Sequence, residues 1–164
     1  PVLGIIVESL RALQARVAKL DTEIAARAKR DPVARRLMTI PGVGPVAATA
    51  LVALAPAACT FRRGRDFAAW VGLTPRQHSS GGKERLGRTS KMGERSLRRL
   101  LILGASSAAR VSGRARAPGN PWLERMLARK PRMLVTVALA NKMARIVWAL
   151  MAHGGTYRAP AVAV

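Results

Sequence analysis

Two adjacent serines, Ser79 and Ser80, stand against a glycine pair inside residues 72–93, which read GLTPRQHSSGGKERLGRTSKMG. Hydroxyl groups in that setting can attack a phosphodiester, and glycine-rich backbone can approach a nucleic acid closely. Arg76, Lys83, Arg85, Arg88 and Lys91 surround the serines, with Glu84 the one acid before Glu94. A loop that only grips phosphate needs the cations but not the hydroxyls.

Other chemistries find little support. Metal-dependent phosphoryl transfer gathers several carboxylates around Mg²⁺. The acids Glu8, Asp21, Glu23, Asp31, Asp66, Glu84, Glu94 and Glu124 are scattered singly or fall in the N-terminal helix, so no carboxylate triad is read. His78 and His153 are the only histidines and Cys59 the only cysteine. That excludes an intrachain disulfide and a cysteine-rich zinc site, fits a reducing cytosol, and leaves Cys59 as a small buried apolar residue. A Ser-His-Asp hydrolase would need a Gly-x-Ser-x-Gly elbow, which is absent. What remains is serine attack on phosphorus, with nearby arginines stabilising the charge that develops and His78 within sequence reach as a proton acceptor.

Composition points to the partner. In 164 residues, 49% are hydrophobic, enough to bury a core. Lys and Arg number 29 against 8 Asp and Glu, a net charge of +21 that repels itself unless a polyanion neutralises it. Nucleic acid is the expected partner, and the preference for arginine favours bidentate phosphate contacts. Charge alone suits a non-enzymatic coat or binding module as well as an enzyme. The apolar run 46–59 is too short to span a bilayer and contains Pro56, so no membrane partner is expected. The chain opens on Pro1 and enters a helical pattern without a signal peptide, as the C-terminal part of a longer protein would.

The elements that must position the loop are helical. Leu3, Ile6, Leu10, Leu13, Val17, Leu20 and Ile24 alternate spacings of three and four, the seam of a coiled coil, with Arg16 and Asp21 placed to pair across a parallel partner. Asp31-Pro32 caps a short helix over about 33–38. Residues 40–54, IPGVGPVAATALVAL, resemble a helix-hairpin-helix module, in which Gly42 and Gly44 would let backbone amides meet a phosphate. The same glycines would equally serve a tight turn over a core of Leu37, Val43, Val46 and Leu51. A short helix follows with Phe67, Trp70 and Val71 inward. Then comes a helix over 94–111 with Leu97, Leu100, Leu101 and Leu103 or Gly104 inward, and Arg98 and Arg99 as candidate extensions of the phosphate surface. Residues 112–121 read as a linker, Pro121 opens a helix to Lys130, and the main core helix covers 132–153. That helix would bury Leu134, Val135, Leu139, Ile146, Val147, Leu150 and Met151, with Gly154 as its cap and a frayed tail from Tyr157. The expected fold is all-α, with at most a small β-hairpin in the serine loop.

Together, Gly72 to Pro75, Ser79-Ser80-Gly81-Gly82-Lys83, Gly87-Arg88-Thr89-Ser90-Lys91-x-Gly93 and Leu97-Arg98, placed after the IPGVGP turn, resemble the C-terminal transposase domain of the insertion-sequence family numbered one hundred and ten. The likeness covers about residues 37–158. It implies a serine of this loop as nucleophile, Ser80 ahead of Ser79 because the serine directly before glycine is the more constant in the family pattern. It also implies a RuvC-like domain whose acidic residues hold Mg²⁺, a coiled coil between the domains, multimers, and an element-encoded guide RNA. The RuvC-like domain is not within these 164 residues, so the metal is expected outside this chain.

The reading is therefore a coiled-coil helix at 1–30, a transposase domain at 31–158 with the hairpin module at 37–54, and a tail at 159–164. Its function would be DNA cleavage and strand exchange in a bacterial cytoplasm, associated with the nucleoid. Gly42, Gly44, Arg76, Lys83, Arg85, Arg88, Lys91 and Arg98 would hold nucleic acid. The alternative is a helix-hairpin-helix module that binds DNA or RNA without cleaving it.

Overall fold

In the computed structural model, residues 2–78, 86–112 and 120–159 are described. They form seven α-helices and one two-stranded sheet: α1 (Val2–Arg30), α2 (Pro32–Leu37), α3 (Pro45–Leu54), α4 (Gly64–Trp70), β1 (Pro75–Gln77), β2 (Leu86–Thr89), α5 (Arg95–Ser112), α6 (Pro121–Arg129) and α7 (Arg132–His153). The all-α expectation with a small hairpin holds.

The helix boundaries follow from local chemistry. The Asp31 carboxylate accepts hydrogen bonds from the backbone N–H of Val33 (2.7 Å) and Ala34 (2.9 Å), and Pro32 fills a first-turn position that needs no donor. Asn120 and Pro121 repeat the device at α6, where the Asn120 side chain accepts from Leu123 N–H at 3.2 Å. Gly154, at φ 77°, closes α7.

The core centres on α7, which packs against α4, α5, α2 and α6. It buries Val135, Thr136, Leu139, Ala140, Met143, Ala144, Val147 and Leu150. It is long and apolar enough to cross a membrane, but its inward residues are spent on this core instead. Small residues let the neighbours come close: Gly64 of α4 lies against the Arg145 backbone, where a Cβ would be crowded.

Several inward assignments fail, each because an apolar residue was given to the wrong side of its helix. Leu134 is 54% exposed and Val46 44%; of the alternatives Leu103 and Gly104 on α5, Leu103 is 57% exposed and Gly104 is the one that meets the body of the protein. Ala105 takes the inward place on α5, and the alanines and Met143 of α7 do the packing expected of larger aliphatics. Cys59, in a short 3-10 turn (Ala58–Thr60), is exposed rather than buried. The chain at Tyr157 is held, not frayed: its N–H donates to the Thr39 hydroxyl at 2.9 Å and its side chain packs on the core.

α1 behaves differently from the rest. Its C-terminal end packs on α2 and α3, where Ala28 is buried. Val2 to Thr22, roughly 30 Å of helix at 1.5 Å per residue, touches solvent throughout.

Candidate nucleic-acid interface

The hairpin that carries the serine stretch is short, and its root is closely tied to the helical body. After α4 the chain turns at Gly72 (φ 80°), and after β2 it turns back through Lys91 (φ 54°) and Gly93 (φ 97°). Backbone meets backbone at this crossing. A side chain on Gly72 would collide with the Met92 carbonyl, and one on Gly93 with the Trp70 carbonyl. That is why glycine stands at both ends of the motif.

Four consecutive carbonyls at the root all find donors. Val71 O accepts from Arg98 Nη1 (3.0 Å), Gly72 O from Lys91 N–H (3.3 Å), Leu73 O from Asn141 Nδ2 (3.2 Å) and Thr74 O from Ser90 N–H (2.8 Å). Since a buried carbonyl without a donor is costly, Arg98 on α5 and Asn141 on α7 each fix the hairpin to a different helix. Phe61, Phe67 and Trp70, with ring centroids 5.3 to 5.8 Å apart, brace α4 from behind.

Beyond the root, β1 and β2 run antiparallel, with Pro75 opposite Thr89 and Gln77 opposite Leu86 and one irregularity between. The His78 imidazole lies over Gly87, in space a side chain there would need. Ser79, Ser80, Lys83 and Arg85 lie outside the described residues; they follow directly on β1 and His78 in the chain.

The remaining predicted contacts separate by role. Arg76, Arg88 and Lys91 are exposed on the hairpin, Arg76 reaching Ser90 O at 3.4 Å. Arg98 is half-buried, with one end of its guanidinium committed to Val71. Gly42, at φ 88°, faces the body of the protein: a side chain on it would strike the Gly104 carbonyl of α5, and one on Gly104 would strike the Gly42 carbonyl. This contact accounts for Gly42 without a phosphate. Gly44 at the start of α3 is exposed, with open space before it.

The hairpin, α6 and α7 enclose a groove of about 840 Å³ that sequence reasoning missed. Leu73, Pro75, Leu86, Leu134 and Val137 make it largely apolar; Arg88, Lys91 and Arg145 stand among its walls. Trp122 also lines it, and Lys142 lies 4.6 Å from that ring's centroid. The available signal was Leu134 and Arg145 on one face of α7, obscured once Leu134 was counted as core.

Among the described residues, no three His, Cys, Asp or Glu side chains converge to hold a metal. The described residues therefore do not fit a magnesium site.

Comparison with known proteins bears on this arrangement. The sequence model of the transposase IS116/IS110/IS902 family matches residues 34–120, from within α2 through α5, both strands included. The chain is 46% identical over 151 residues to a probable family 20 transposase of Pseudomonas aeruginosa, covering 92% of this chain and 45% of that protein. It is 39% identical over 142 residues to the transposase for insertion sequence element IS1111A of Coxiella burnetii, covering 87% and 39%. Against the transposase for IS1328 of Yersinia enterocolitica the identity is 36% over 149 residues, covering 86% and 42%. The chain thus spans less than half the length of these relatives.

Proposed function

The chain belongs to the IS116/IS110/IS902 transposase family, and from that premise we propose that it forms the serine-bearing part of a DNA transposase active site. Ser80, with Ser79 as the second candidate, is the nucleophile. Its hydroxyl oxygen attacks a DNA phosphorus, and an Oγ–P bond forms as the P–O bond to the departing sugar breaks. The serine proton passes to a base, for which neighbouring His78 is the candidate, and the departing sugar oxygen takes up a proton. The phosphoseryl link keeps the energy of the broken ester available for joining a second strand.

One observation carries this reading: the pinned root of the hairpin. Catalysis by positioning requires the nucleophile's support to be rigid. Gly72 against Met92, Gly93 against Trp70, and four satisfied carbonyls supply that support at the root of the two strands that flank the serine stretch in the chain. Arg76, Arg88 and Lys91 add exposed cations to grip the phosphates that flank the reacting one. In the same reading, α1 pairs with a second copy through its exposed seam, and Gly44 with the start of α3 gives a weaker, sequence-independent phosphate grip. A guide RNA and a metal-holding domain are further partners this reading expects from elsewhere in the assembly.

The test is serine replacement in a transposition assay that supplies whatever further domains the reaction requires. Ser80→Ala is expected to abolish strand exchange and any covalent protein–DNA adduct while DNA binding stays within about twofold, since a neutral hydroxyl contributes little to phosphate affinity. Full activity in the Ser79→Ala, Ser80→Ala double variant would overturn the nucleophile.

A further inference from the structure

A second depression, of about 320 Å³, shares Arg145 with the groove and is lined by Arg63, Gly64, Arg65, Arg145, Trp148 and Ala149. Arg145 lines both, so the two are neighbours on one surface. On α7 they are lined from Met133 and Leu134, through Val137, Ala138, Asn141 and Arg145, to Trp148 and Ala149. Their spacings of three and four put them on one stripe of the helix. From Leu134 to Ala149 that stripe runs roughly 22 Å at 1.5 Å per residue, starting beside the hairpin.

Each depression combines an aromatic ring with arginine. Trp122 and Trp148 are both half-buried, so part of each ring is open. Trp148 is fixed by its indole N–H, which donates to Ala58 O at 3.1 Å. No carboxylate lines either depression among the described residues. The nearby Asp66 is engaged with Arg63 at 3.3 Å. Arg65, Arg88, Lys91 and Arg145 are exposed.

We propose that this stripe is the path of a single DNA strand leaving the serine hairpin. Its bases would rest on the apolar groove and on Trp122 and Trp148, its phosphates on Arg88, Lys91, Arg145 and Arg65. Duplex DNA does not fit this chemistry, because its bases are stacked inward and cannot cover apolar side chains. An unstacked strand offers π faces to the indoles and anions to the arginines together. The assignment of DNA rather than RNA rests on the serine reading, since the strand attacked at the hairpin is DNA.

The experiment titrates an oligothymidylate of roughly 12 nucleotides, within the usual site size for such paths, against the chain and follows tryptophan fluorescence. The strand quenches emission, and a duplex of equal length binds more weakly without comparable quenching. Replacing exposed Arg65 and Arg145 together by Gln lowers the logarithmic salt slope by about 1.4, two contacts at about 0.7 each for single strands. Leu134→Glu, at an exposed position, removes the quench while helicity is unchanged. An unaltered slope in the double arginine variant, preference for the duplex, or preference for oligouridylate overturns the proposal. The serine reading is tested separately: Ser80→Ala leaves oligothymidylate affinity at its starting value, and full transposition by the Ser79→Ala, Ser80→Ala double variant overturns that reading without touching the strand path.

Discussion

Gly42 and Gly44 share a three-residue motif and have opposite surroundings. Gly42 sits at φ 88° with the Gly104 carbonyl where a side chain would go, whereas Gly44 has extended backbone at φ −90° and nothing within 4 Å. Gly42→Ala should therefore cost about 1–2 kcal/mol from the backbone alone, with more from the collision, lowering the melting temperature by at least about 2–4 °C per kcal/mol in a chain of this size. Gly44→Ala should cost no more than about 1 kcal/mol, as a helix-cap change does. Thermal unfolding of the two variants checks this, and equal losses would contradict it. Only Gly44→Ala can then probe a phosphate grip without disturbing the fold. The need for backbone freedom at Gly42 was legible in the Gly-Val-Gly motif. Its cause was not, because the surface it meets belongs to α5, far along the chain. Arg98 is a parallel case: in sequence it is one cation among several, and its Nη1 donates to Val71 O, 27 positions earlier in the chain, at 3.0 Å.

At the level of elements, what the sequence made plain was whatever is settled locally. Asp31-Pro32, Asn120-Pro121 and Gly154 mark helix ends because caps act within one turn. The side of a helix that faces inward is settled by its neighbours, and there the inward assignments of Val46 and Leu134 fail. The groove was invisible for the same reason, since its walls come from the hairpin, α6 and α7 together. The seam of α1 is the opposite case: the periodicity is plain, and none of the described residues covers it. Leu3, Ile6, Leu10, Leu13, Val17 and Leu20 are 50 to 78% exposed. Such a continuous apolar stripe on one helix is expected to find a partner helix. Light scattering should report an oligomer that Leu10→Lys with Val17→Lys converts to monomer, helix content being otherwise kept. A chain that is monomeric at high concentration would refute pairing through this seam.

For the whole molecule, charge opposes compactness. A formal +21 is set against eight acids, and one ion pair, Arg63 with Asp66, forms among the described residues. That pair is exposed, so it contributes little. Repulsion among the remaining cations is the larger electrostatic effect, and it is screened as salt rises. Going from about 0.01 M to about 0.15 M shortens the screening length from about 30 Å to about 8 Å. The free chain should therefore melt at a higher temperature in the saltier buffer, the reverse of a protein held by surface ion pairs. Bound DNA should have the opposite salt response. At a free concentration one hundred times Kd it adds about 2.7 kcal/mol of stability, but Kd itself weakens steeply with salt as counterions compete. Melting curves with and without DNA should accordingly converge as salt is raised, the free curve climbing and the bound one falling toward it. Parallel curves would mean that the cations neither strain the fold nor meet the phosphates.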